Sequence, residues 1–132
     1  VYANITYRTK VWSPAAVGST ETAAIIPVKK GERVLWASAV VLTAAAASTD
    51  TTVELGDGTD TDGFIAAIDL EANAAGTYVN GAGALLASSG GKLYTADDTI
   101  DAKYAGTTFG ATTPKLRFTV AIVKDVPYGA AV

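Results

Sequence analysis

The chain has 132 residues, of which 49% are hydrophobic, with 10 basic and 13 acidic side chains and no Cys, His or Met. That length suits one domain, residues 1–132, burying roughly two thirds of its unfolded surface. The lack of Cys and His excludes disulfides, thiol nucleophiles, imidazole bases and the common zinc and copper sites. The scattered Lys and Arg form no phosphate-tracking stripe, so no nucleic-acid partner is expected.

The opening segment Val1-Tyr2-Ala3-Asn4 has neither a charged leader nor an apolar core. No secretory signal is expected there, and the missing Met suggests a removed initiator or numbering that starts after processing. From Asn4 to Val11, Ile5, Tyr7, Thr9 and Val11 alternate with Thr6, Arg8 and Lys10, the period-two pattern of a half-buried strand. Ser13-Pro14 breaks that run, and Pro27 restricts any strand over Ala23 to Val28 to a sheet edge or a bend. Residues 1–28, with the last residues from Val126, are therefore candidates for extended arms lying along a partner.

Lys30-Gly31 forms a turn, and Glu32 to Thr43 follows as the longest β-like run. Val34, Trp36, Val40 and Leu42 share one face, with Leu35, Ala37, Ala39 and Val41 on the other. Both faces are apolar, which predicts cover from a second sheet and from a neighbouring subunit. The longest apolar stretch, Ala37 to Ala47, holds Ser38 and Thr43 and falls short of the roughly 20 residues that span a bilayer, so no membrane partner is expected. Thr51 to Leu55 reads as a strand ending in the turn Gly56-Asp57-Gly58.

Between Asp62 and Gly76, Phe64, Ile65, Ile68 and Ala72 recur at spacings of three and four after a possible Asp62 cap, which predicts one short helical segment. Thr77 to Leu86, Lys92 to Thr95 and Thr99 to Lys103 follow as strand-like pieces divided by Gly-rich turns. Lys115 to Lys124 alternates Leu116, Phe118, Val120 and Ile122 against Arg117, Thr119, Ala121 and Val123, the clearest strand of the chain. Short strands at regular intervals with Gly-marked turns predict an all-β fold, a β-sandwich or jelly roll with one short helical segment and extended termini.

Two acidic groups invite a chemical reading. Asp57, Asp60 and Asp62, with Gly58 and Gly63, are candidate ligands for Ca²⁺. Aligned on an EF-hand, however, Gly58 would fill the first ligand position, and a strand precedes the loop where a helix is required. The simpler alternative is a tight turn in which Asp62 caps the next helix. Asp97, Asp98 and Asp101 with Glu54 or Asp69 supply carboxylates in principle suited to glycoside cleavage, but turn formation explains them as well. No nucleophile or phosphate-loop motif stands in the right context, so no enzyme activity and no cofactor are expected. Trp12, Trp36, Tyr78, Tyr94, Tyr104 and Tyr128 can be read as a sugar-binding platform. Trp36, among apolar neighbours, fits a core position better, and Trp12 beside Ser13-Pro14 fits the anchor of an arm.

The run Lys30-Gly31-Glu32-Arg33-Val34-Leu35-Trp36, then Thr52-Val53-Glu54-Leu55-Gly56-Asp57-Gly58 through Phe64-Ile65, resembles small structural proteins of tailed bacteriophages. The likeness extends to Gly76-Thr77-Tyr78 and resumes at Lys115 to Val123. It implies a decoration or cement protein on the capsid exterior of the virion, bound to the major capsid protein and often trimeric. Head-fibre and tail appendages, or a carbohydrate-binding adhesin-like module, are the alternatives.

Overall fold

In the computed structural model, residues 5–15, 19–45, 50–87, 90–110 and 112–124 are described. Nine strands and one short helix follow in the order β1 (Ile5–Trp12), β2 (Glu21–Val28), β3 (Glu32–Thr43), β4 (Thr52–Gly56), β5 (Ile65–Asp69), β6 (Tyr78–Asn80), α1 (Ala84–Ala87), β7 (Lys92–Leu93), β8 (Asp98–Ala105) and β9 (Lys115–Lys124). They form two sheets, one ordered β1-β9-β3-β6 with β7 also on β3, the other β2-β8-β4-β5. Every pairing is antiparallel. The chain is thus an all-β sandwich.

The core lies where the inner faces meet. Leu116, Phe118, Val120 and Ile122 of β9 all point inward, as their alternation predicts, against Val53 and Leu55 of β4 and Ile100, Ala102 and Tyr104 of β8. Trp12 packs in the same cluster, its ring 6.4 Å from that of Phe118.

Four expectations are corrected by this architecture. First, the stretch from 62 to 76 is not helical. It contains β5, in which Ile65 and Ile68 are both buried while Ala66 and Ala67 between them are exposed. The cause is a bulge: Leu55 pairs with Ile65 and Val53 with Ile68, so three residues on β5 span two on β4. An extra residue in a strand reproduces the spacing of a helix turn. The short helix lies instead at Ala84–Ala87, inside the stretch expected to continue as strand to Leu86.

Second, the segment expected as an arm holds two paired strands. β1 lies along β9 from Ile5↔Val123 to Trp12↔Leu116, and β2 lies along β8 with Pro27 on the outermost strand, where a missing N–H is tolerated. The expected arm residues 1–4, 16–18 and 126–132 lie outside the described residues. Third, Trp12 is a core residue and not an arm anchor. Fourth, Trp36 is not in the core. A bulge at Leu35, where Val34 pairs with Ile122 and Trp36 with Ala121, switches the parity of β3. Val34 joins Ala37, Ala39 and Val41 inside, while Trp36 and Val40 turn to the outer face.

The sandwich is closed at one side by Arg8. From edge strand β1 it donates to both carboxylate oxygens of Glu32 and, at 2.7 Å, to the carbonyl of Pro27. Glu32 also accepts from the Lys29 amide at 2.6 Å, so one carboxylate ties β1 to the corner between β2 and β3. The guanidinium holds the Glu32 carboxyl below its ordinary range.

Candidate functional site

The acidic loop after β4 is a structural turn. Asp57 is buried, and its Oδ1 accepts from the amides of Thr59 at 3.0 Å and Asp60 at 2.9 Å. Its Oδ2 accepts from the Tyr94 hydroxyl at 2.9 Å, which pins the end of β4 in one sheet to the residue after β7 in the other. Burial, together with the Asp57 carboxylate, pushes the Tyr94 phenol far above its usual range, so it stays a donor. Gly56 allows the loop to fold back, because a Cβ there would overlap the Asp60 carbonyl.

Asp60 and Asp62 lie side by side at the exposed rim, and the carboxyl of Asp60 is held above its ordinary range by a hydrogen bond with the Asp62 side chain. The Asp57 carboxylate is held between the Thr59 and Asp60 amides on one oxygen and Tyr94 on the other. Among the described residues no group of three or more His, Cys, Asp or Glu is gathered as a metal site. In the second acidic group Asp97 accepts from the Lys30 amide, Asp101 from Thr99 Oγ1, and Glu54 pairs with Lys103 at 3.4 Å; burial, with the nearby charges of Asp98 and Asp57, holds the Asp101 carboxyl above its ordinary range.

The outer face of the sheet β1-β9-β3-β6 is chemically unlike the rest. Register places its residues in cross-strand rungs, since directly paired residues share a face. Ile5, Val123, Arg33 and Leu93 form one rung; Tyr7, Ala121 and Trp36 form the next; then come Thr9, Thr119, Ser38 and Asn80; then Val11, Arg117, Val40 and Tyr78. Ile5, Tyr7, Val11 and Tyr78 are 52%, 65%, 50% and 56% exposed, and among the described residues they are the large apolar side chains most open to solvent. No carboxylate lies on these rungs.

Short polar links organise this face from within. Trp36 Nε1 donates to Asn80 Oδ1 at 2.6 Å, and Thr9 and Thr119 share a hydroxyl contact of 3.2 Å. Ala121 is only 5% exposed yet stands outside the core cluster. It lies between Tyr7 and Trp36 of the flanking strands. The alternation of β1 signals this face in the sequence, but its apolar half points to solvent, because β1 is an edge strand whose inner positions Thr6 and Lys10 overhang the core.

The aromatic platform read from the sequence is divided between two places. Trp12, Tyr94 and Tyr104 are buried, Trp36 and Tyr78 share the outer face with Tyr7, and Tyr128 lies outside the described residues. A separate shallow groove of about 440 Å³ opens between edge strands β5 and β6, lined by Ala66, Ile68, Val79 and Asn80 among others.

Fold and face together define a two-sheet antiparallel sandwich with one apolar outer surface. No family model matches the chain, and no curated protein matches it in sequence. Two solved structures share its fold. A chain of the capsid asymmetric unit of cyanophage Pam1 superposes with a TM-score of 0.72 at 13% identity, covering 92% of this chain and 86% of that one. A chain of the acid-stable capsid of Helicobacter pylori bacteriophage KHP30 superposes with a TM-score of 0.63 at 14% identity, covering 97% of each.

Proposed function

We propose that this protein is a structural component of a phage virion, a decoration or cement protein seated on the capsid exterior against the major capsid protein. The observation that carries the reading is the near full-length likeness of fold to chains from the capsids of two phages with different hosts. The strand order supports a jelly roll, the eight-stranded double-sheet arrangement common in viral shells: β1-β9-β3-β6 over β2-β8-β4-β5 interleaves first, last and middle strands. A sandwich whose outer face is apolar is also suited to permanent assembly. No step of catalysis is needed to account for the groups described.

Quantitative mass spectrometry of purified virions of the phage that encodes the chain tests this reading. Abundance within a small factor of the major shell protein supports decoration. A few copies per particle would favour a head-fibre or tail appendage, and absence from the particle would overturn the virion reading. The second reading, carbohydrate binding, is favoured by one observation, the sharing of a single exposed face by Tyr7, Trp36 and Tyr78. Saturable binding to a glycan array, lost in Trp36→Ala, would support it.

A further inference from the structure

We propose that Asn80-Gly81, at the end of β6, is a latent deamidation site, held unreactive by β3 and converted to aspartate or isoaspartate when β6 detaches. The inference concerns the chain's own chemistry and does not rest on the virion reading.

The reaction joins the Asn80 side chain to the main chain of the next residue. The Gly81 nitrogen gives its proton to hydroxide and attacks Asn80 Cγ. The Cγ–Nδ2 bond breaks, the nitrogen takes a proton from water and leaves as ammonia, and a succinimide ring closes. Water then opens the ring at either carbonyl, giving aspartate or isoaspartate. Water and hydroxide are the co-reactants. A following glycine favours the step, because no Cβ shields its nitrogen and its backbone turns freely toward the side chain. Of the asparagines Asn4, Asn73 and Asn80, Asn80 alone precedes a glycine.

Both reacting groups are held, and by consecutive residues of one strand. Trp36 Nε1 donates to Asn80 Oδ1 at 2.6 Å, which fixes the side-chain amide. The Gly81 N–H donates to the Ala37 carbonyl at 2.8 Å, so the nucleophile keeps its proton and faces β3. Glycine at 81 is itself set by packing, since a Cβ there would lie 2.8 Å from the Ala37 carbonyl oxygen and 2.6 Å from that of Phe64. The reactive pair is thus built into the fold and restrained by it.

The restraint is slight. β6 has three residues, lies at the edge of its sheet and pairs with β3 alone among the described strands, and Asn80 is exposed. Short edge segments open at the low end of a protein's range of local free energies. The groove between β5 and β6 is lined by Asn80 and Ala82, on either side of Gly81, so solvent reaches this segment. Because both restraints end on β3, detachment of β6 frees both groups at once. Conversion then opposes return: isoaspartate lengthens the main chain by one methylene before Gly81 and carries its N–H out of line with the Ala37 oxygen. Either product adds a carboxylate to the Thr9–Thr119–Ser38 rung, which has none, and makes the chain one unit more negative than its present −3.

The test is peptide mapping by mass spectrometry of the full chain aged in mildly alkaline buffer, both native and in urea, with ammonia release followed in parallel. Exchange of the amide for an acid raises the mass, whereas Asp57-Gly58 and Asp62-Gly63, which form the same ring, lose and regain water with no net change. Asn80 is expected to convert ahead of Asn4 and Asn73, and at least about tenfold more slowly in the native chain than in urea. Trp36→Phe removes the donor and keeps a ring. It should raise the native rate about three- to tenfold, the factor of one ordinary hydrogen bond, and leave the rate in urea unchanged, with circular dichroism confirming that the variant is folded. Hydrogen exchange at the Gly81 amide of the wild type, which needs no variant, should show protection of the same order as the native-to-urea ratio. Asn80 outpaced by Asn73 in urea, conversion as fast in the native chain as in urea, or a folded Trp36→Phe chain that converts no faster than wild type would overturn the proposal.

Discussion

The two outer faces of this sandwich are both built on antiparallel sheets, yet they carry different chemistry. On β2-β8-β4-β5 the outward positions hold Thr22, Lys103 and Glu54 in one rung and Asp101 in the next, with a Lys103–Glu54 ion pair of 3.4 Å. That is the usual solvated side of an antiparallel sheet. On β1-β9-β3-β6 the corresponding rungs hold Tyr7, Ala121 and Trp36, then Val11, Arg117, Val40 and Tyr78. Inner packing does not require this difference, because the two sheets already meet in one apolar core. The apolar outer face is therefore surplus to the core, and a contact with a partner is one way to cover such a surface.

The largest effect expected from a single substitution tests whether one strand serves both roles. Trp12 and Val11 are neighbours on β1, but Trp12 is buried against Phe118 while Val11 is half exposed on the outer face. Trp12→Ala should cost about 3–5 kcal/mol in a urea titration, whereas Val11→Ser should stay within about 0.5 kcal/mol for the dilute monomer. Equal costs would mean that β1 does not divide core from contact as described.

Next in size is the link between the two sheets. Tyr94→Phe removes the donor to Asp57 Oδ2 and leaves a buried carboxylate one partner short. A loss of about 1.5–3 kcal/mol is expected at neutral pH, the range for hydrogen bonds to charged groups. A change of only a few tenths of a kcal/mol would show that the Thr59 and Asp60 amides hold the loop by themselves.

A smaller effect carries a pH signature. The Glu32 carboxyl lies below its ordinary range because of Arg8, so its ion pair adds stability that is complete above the unfolded value near 4.5. That contribution fades as pH falls through the lower folded value. The stability difference between wild type and Glu32→Gln should be about 1 kcal/mol from pH 5 to 7 and shrink toward zero in stronger acid. A difference that grows on acidification would contradict the assigned pair.

The sandwich was legible in the sequence wherever alternation ran without interruption. β9 and β3 have the bounds that their patterns predict, and Leu116, Phe118, Val120 and Ile122 are the inward set. Two bulges account for the main misreadings. One extra residue in β5 gave Ile65 and Ile68 a helical spacing, and one in β3 moved Trp36 from the expected core to the outer face. A one-residue offset changes which face a side chain occupies, and nothing local in Val34-Leu35-Trp36 announces it. The apolar face was half visible, in the two-sided apolarity of β3. Its extension over β1 and β6 depends on strand order, which alternation does not encode. The Asp57 turn was recognisable from Gly56-Asp57-Gly58, but its Tyr94 partner lies 37 residues away.

The smallest expected effect on stability separates the two faces most sharply. Tyr78 is more than half exposed at the end of the Val11–Arg117–Val40 rung, and its hydroxyl stands 3.5 Å from Asn80 Oδ1, too long to hold the fold. Tyr78→Ser should therefore leave the urea midpoint of the dilute monomer within about 0.5 kcal/mol of wild type, as a substitution on the solvated sheet would. If the face is a surface for assembly, the same change lowers retention of the protein on concentrated self-association assays or on capsids, because exposed aromatics supply contact area at small entropic cost. If instead Tyr78→Ser destabilises the monomer by more than about 1 kcal/mol, the apolar side chains of this sheet are serving the fold itself, and the contrast between the two faces loses its functional meaning.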